Sequence, residues 1–326
     1  VVYAEEASCA SMSVNEYCLL YVHNGAYSLR GLAFSPDNNL IVTSSPSGNA
    51  TVISYQTRAV VEVIPISMAY SVAFSPDGQV LALGGDDEIV LWSISERRIL
   101  ARLFGQEGAM FSMSFSPDGQ YLASGAEGTI AFWQMPSGEL VETYEENSLG
   151  FANSVDNLVF SANSKYLASS SAQGIRVWRF NDAIPLLFPR LGFQQSVDAM
   201  DFSPDGEWFA FGGIGLDAEV WHVDEWRFYS RFKIEPENSS GTKGTRTLTF
   251  TTDSNSIVVG EYQNPQYMAG IQIFDVEGHG PQRTLLGSGD HVYAIERSSD
   301  GQYIVGIATM MMGATGRDSV VLWRLN

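Results

Sequence analysis

Lysine is almost missing from this chain: Lys165, Lys233 and Lys243 stand beside fifteen arginines and 37 carboxylates in 326 residues. The formal charge of −19 repels phosphate backbones and anionic lipid surfaces, which argues against nucleic acid or a membrane surface as partner. Cysteine is nearly as scarce. Cys9 and Cys18 have neither CxxC spacing nor a second pair, so a zinc or thiol-redox centre is not expected. Spacing alone leaves open whether they form a disulfide or two free thiols. The four histidines show no i, i+4 pair, and no nucleophile elbow, Walker loop or calcium loop occurs. The expectation is therefore no catalytic residue, no metal site and no cofactor. No apolar run reaches 18 residues, so no membrane-spanning helix is expected. The chain opens at Val1 with no apolar signal core, which fits a processed export product or a trimmed chain. The compartment expected is extracellular or the cell envelope rather than the cytoplasm.

What the sequence does have is a repeated phrase. Residues 115–133 read FSPDGQYLASGAEGTIAFW: an apolar strand end, a Ser-Pro-Asp-Gly tight turn, a second strand, a short loop, and a third strand ending on tryptophan. Versions of the turn recur at Asp37, Asp77, Asp118, Asn163, Asp205, Asp253 and Asp300, spaced by 40, 41, 45, 42, 48 and 47 residues. That period suits propeller blades of four strands rather than helical arrays. Seven aromatics answer the turns: Tyr55, Trp92, Trp133, Trp178, Trp221, Phe274 and Trp323.

The repeats resemble those of the WD40 family, whose blades carry a Trp-Asp pair and an earlier Gly-His pair. Prolyl-peptidase propellers have similar turns. The third strands DDEIVLW, EGTIAFW and QGIRVW, each ending 18 residues after the phenylalanine, favour the WD40 pattern. The resemblance implies an all-β, seven-bladed antiparallel propeller over residues 16–326, preceded by a tail at 1–15. Because the last copy stops after Trp323, the segment Tyr17 to Val22 is expected to complete the last blade and close the ring. Only one aromatic keeps its Asp, at Phe274-Asp275, and Gly105-Gln106 stands where one Gly-His pair is expected. These departures argue against the buried Asp-His-Ser/Thr-Trp network that the family often uses. Cohesion is expected more from apolar packing, with each buried aromatic contributing at most about 4–6 kcal/mol.

Length variation between the repeats marks the candidate site. The connections expand at Tyr144 to Asn157, Ile234 to Thr245, Glu261 to Gly270 and Ala308 to Ser319. In the family, interblade and second-to-third-strand loops share one face. The expected partner-binding lobe over blades six and seven uses Lys243, Tyr262, Asn264, Gln266, Tyr267, Met268, Met310, Met311, Met312 and Arg317. Tyr, Met and Arg are enriched in interface cores. The competing expectation is that these loops pack on one another. The segment Gly213 to Ala218 matches a GxGxxA fingerprint but leads into a strand rather than a helix, so it reads as a turn.

The reading is thus a non-catalytic interaction scaffold for a protein or peptide, with membership of a larger complex as a further expectation. The alternatives are a carbohydrate- or small-molecule-binding propeller of the cell envelope and, less favoured, a propeller hydrolase.

Overall fold

The computed structural model describes residues 17–22, 29–145, 154–172, 174–179, 185–186, 197–213, 216–232, 244–261, 269–278, 281–289, 291–312 and 315–325. Among these, the backbone forms seven antiparallel four-stranded sheets and no helix, the architecture of a seven-bladed propeller. Blade three is representative, with strands Ser112–Phe115, Tyr121–Gly125, Thr129–Gln134 and Glu139–Glu145 paired in chain order. The last sheet takes His291–Arg297, Tyr303–Met312 and Thr315–Arg324, and its fourth strand is Tyr17–Val22. Tyr17 lies opposite Trp323 and Cys18 opposite Leu322. Cys18 is buried and disulfide-bonded, while Cys9 lies outside the described residues.

The tight turns explain why the repeat is so regular. In blade three the Ser116 hydroxyl donates to Asp118 Oδ1 (2.6 Å) and accepts from the Tyr121 amide (2.9 Å), while Asp118 Oδ1 also accepts from the Gln120 amide (3.0 Å). The same hydroxyl-to-side-chain bond recurs in all seven copies, from Ser35–Asp37 through Ser298–Asp300. The fourth turn residue has positive φ every time: Asn38, Gly78, Gly119, Ser164, Gly206, Ser254 and Gly301. Glycine reaches that region without cost, whereas Asn and Ser must be compensated. The compensation is visible in all three cases. Ser164 Oγ accepts from the Asp118 amide (3.1 Å), Ser254 Oγ from the Asp205 amide (3.2 Å), and Asn38 Oδ1 from the Ser299 amide (2.7 Å). Each bond ties a turn to that of the preceding blade, and the last joins blade one to blade seven.

Apolar packing fills the space between blades. Ala210, Val220 and Phe232 of blade five pack with Phe250, Ile257 and Phe274 of blade six. Leu20 packs with Ile307 and Leu322 of blade seven and with Leu32 and Ile41 of blade one. A fully buried side chain of this size contributes about 1.5–3 kcal/mol.

The expectation that the indole hydrogen-bond network is lost needs correction in part. In blade three Trp133 Nε1 donates to Ser124 Oγ (2.8 Å), and the Ser124 hydroxyl donates to Gln106 Oε1. Gln106 Nε2 continues to the Thr129 hydroxyl (3.1 Å). Glutamine offers an acceptor and a donor on one rigid amide, as a neutral imidazole would. Blade four keeps the same first bond, Trp178 Nε1 to Ser169 Oγ (3.1 Å). In blade two Leu83 occupies the place of Ser124, and Trp92 Nε1 is buried without a hydrogen-bond partner.

Two loop boundaries also differ from expectation. Tyr144 and Glu145, expected to begin an exposed link, belong to the outer strand of blade three, where Tyr144 packs between Phe132 and Trp178. The segment Ala308 to Ser319, expected as a loop, is a paired ladder from Ala308 opposite Ser319 to Met312 opposite Thr315.

Candidate functional site

Seven innermost strands line a central cavity of about 850 Å³. Their sequences superimpose on the phenylalanine that precedes each turn. The residue four positions before it is Arg30, Tyr70, Phe111, Asp156, Asp198 and Arg246 in blades one to six, and blade seven places Tyr293 in the equivalent position. The amides of Arg30, Tyr70, Phe111, Asp156 and Asp198 each bond a carbonyl at the end of the neighbouring second strand. Arg246 and Tyr293 are the extra residues of β-bulges, a device that re-aims a side chain. These seven residues ring one mouth of the channel. By strand direction this mouth opens on the face of the interblade and second-to-third-strand connections.

The ring is divided by chemistry. Tyr70 and Phe111 meet edge to face, with centroids 5.6 Å apart. Asp156 and Asp198 follow on the next two blades. Arg246 lies 3.9 Å from Asp198 and stacks over Tyr293, its guanidinium carbon 5.4 Å from the ring centre. Asp156 is exposed, and its Oδ1 accepts from the Ser154 hydroxyl (2.5 Å). Surrounding protein raises its pKa; the Ser154 bond opposes that, the Asp198 charge adds to it, and Arg246 and Arg30 lower it. Asp86 and Glu127 sit nearby on the second-to-third-strand loops of blades two and three, each held by an isolated bridge. The Tyr70 pKa is raised by burial first, then by Asp86 and more weakly by Glu127, against Arg30.

Three residues further along the strands, at about 3.3 Å per residue, the channel carries a second polar group. Blades one to four place Ala33, Ala73, Ser114 and Val159 at this level, whereas blades five to seven place Asp201, Thr249 and Glu296. Arg297 stands where the other blades have phenylalanine. Its Nη1 donates to Asp201 Oδ2 (3.2 Å), Thr249 Oγ1 (2.8 Å) and the Phe250 carbonyl (3.2 Å). Asp201 Oδ2 also accepts from the Phe250 amide (3.1 Å). One guanidinium thus fastens three consecutive blades. Among the described residues, no three of His, Cys, Asp and Glu are grouped to hold a metal ion.

The expected partner-binding lobe is described only in part. Tyr262, Asn264, Gln266, Tyr267, Met268 and Lys243 lie outside the described residues. Met310, Met311, Met312 and Arg317 lie in the blade-seven hairpin, Met310 opposite Arg317 and Met311 opposite Gly316. The sequence reading missed the channel ring, although a signal for it was present. Aligning the copies on their phenylalanines exposes a column of Arg, Tyr, Phe and Asp just before each apolar strand.

Four stretches of the chain, residues 16–54, 67–93, 97–134 and 138–179, match the family model described as WD domain, G-beta repeat. They run from the Tyr17–Val22 strand of blade seven to the third strand of blade four and include the three blades, two to four, in which Trp follows Phe by 18 residues.

Proposed function

This chain is a seven-bladed propeller carrying WD40 repeats, and we propose that it is a non-catalytic platform binding a protein or peptide on the face where the ringed channel mouth opens. WD40 propellers commonly mediate protein–protein interaction. The observation that carries the proposal is the blade-seven hairpin: its strands Tyr303–Met312 and Thr315–Arg324 run ten residues each, against five and six in blade three. The additional residues carry the hairpin about 13–16 Å beyond its counterparts. A hairpin gives such a projection a fixed backbone, so binding orders little of the scaffold.

In this reading Met310, Met311, Met312 and Arg317 on the hairpin act together with Lys243, Tyr262, Asn264, Gln266, Tyr267 and Met268. Affinity capture from the source, comparing wild type with Met311→Ala/Tyr267→Ala and a chain lacking 310–317, tests it. The expected result is a stoichiometric protein lost from both variants but retained by Glu225→Gln on the opposite face. A partner captured equally by all four chains, or none captured by wild type, overturns the proposal.

A further inference from the structure

The channel ring has an electrostatic asymmetry. Four carboxylates, Asp86, Glu127, Asp156 and Asp198, approach the mouth against two guanidiniums, Arg30 and Arg246. The guanidiniums are not equally available. Arg246 is engaged by Asp198 and the Tyr293 ring, and Arg30, three blades from Asp156, acts on it more weakly than Arg246 does. Between Phe111 and Asp156 the wall therefore changes directly from an aromatic ring to an exposed carboxylate, with Asp198 one blade further. Deeper in the channel Asp201 is paired with Arg297, which Thr249 and the Phe250 carbonyl also hold, so the unbalanced carboxylates are those at the mouth. A carboxylate beside an aromatic face suits a cation that gives up water on one side and keeps charge compensation on the other. The whole chain, at −19, draws the same kind of ligand toward it.

We infer that the channel mouth is a binding site for one basic side chain of a peptide, its cationic group lodged between the Tyr70–Phe111 pair and the carboxylates of Asp156 and Asp198. Resting on the reading of this face as the partner-binding one, it adds the chemistry of what enters. Arginine fits better than lysine because its planar guanidinium can stack on Phe111 while donating two hydrogen bonds to Asp156. An acidic or neutral side chain of similar length gains neither contact and meets the negative field of the wall.

The test is titration of the full chain with N-acetylated, C-amidated Gly-Arg-Gly, followed by calorimetry. Controls are the same tripeptide with citrulline, which has the shape of arginine without its charge, and with glutamate. The expected result is binding of the arginine peptide, weakened by salt, with citrulline at least about tenfold weaker, the cost of leaving a desolvated charge unpaired. Asp156→Asn, which keeps size and one acceptor oxygen but removes the charge, lowers arginine affinity by about tenfold and erases the preference over citrulline. Phe111→Leu lowers it further while preserving apolar volume, and an unchanged melting curve verifies the fold of each variant. Equal binding of arginine and citrulline, no binding of either, or undiminished binding by Asp156→Asn overturns the inference. The chain lacking 310–317 separates the two readings: tripeptide binding retained with partner capture lost supports both. Capture that depends on the hairpin while the tripeptide shows no charge preference sinks the channel site and leaves the platform standing.

Discussion

Glu296 holds its carboxyl in the channel beside Asp201, and burial followed by the Asp201 charge pushes its pKa up to about 7, with Arg297 pulling the other way. The ordinary value is 4.5. The folded chain thus keeps a proton that the unfolded chain releases, and the stability owed to this group is complete below about pH 4.5 and lost as pH rises toward 7. Glu296→Gln should flatten that slope and stabilise the protein at pH 8 by up to about 3 kcal/mol, with little change at pH 4; paired thermal melts at the two values measure it. The acid itself is plain in the sequence, but its setting is not. Glu296 and Arg297 are neighbours in RSSD-type context, and only the sheet register turns one toward Asp201 and puts the other where six blades place phenylalanine. The charges that shape the site come from residues 96 positions apart in the chain, a separation across which local pattern carries no information.

Among the turns and strands, far more was legible. The Ser-Pro-Asp-Gly frame located all seven turns because its chemistry is local: hydroxyl, carboxylate and two amides within six residues. The three non-glycine members show what local reading leaves out. Ser164 bears positive φ and a bond to the preceding blade, so two effects can be separated by substitution. Ser164→Ala keeps the backbone strain and loses the bond, and is expected to destabilise by about 1–3 kcal/mol. Ser164→Gly loses the bond but relieves the strain and should cost distinctly less, about 0–1 kcal/mol. Urea melts of both variants give the order, and an alanine variant no worse than glycine would contradict the account. Loop expansions were the least legible feature. Met310 to Met312 contain no turn residue, so their continuation as strand follows from pairing with 315–317 rather than from propensity, and the same length of sequence read as a loop. Gln106 illustrates the opposite error: a departure from the familiar Gly-His pair hid an amide able to make the same bonds.

At the scale of the whole ring, seven copies and their period already gave the architecture, whereas the channel required three dimensions, since its wall takes one residue from each blade. The outer edge of blade seven depends on Tyr17–Val22, whose pairing with Ser319 to Trp323 places Cys18 and Leu20 in the core shared with blade one. Removing residues 1–22 should uncover the edge of Thr315–Arg324 together with that core. The expected outcome is a broadened, less cooperative melt and concentration-dependent aggregation; an unchanged calorimetric profile would show that the strand is dispensable. The pairing also has a consequence in time. On a ribosome the strand at 17–22 emerges about 300 residues ahead of its partner at 319–323, so at about 5–20 residues per second it waits roughly 15–60 s with its hydrogen-bonding edge unsatisfied. Six blades can form as they are made, but the seventh joins segments made far apart in time. Its completion is a step of very high contact order, and the interval before it is when this protein most needs a chaperone.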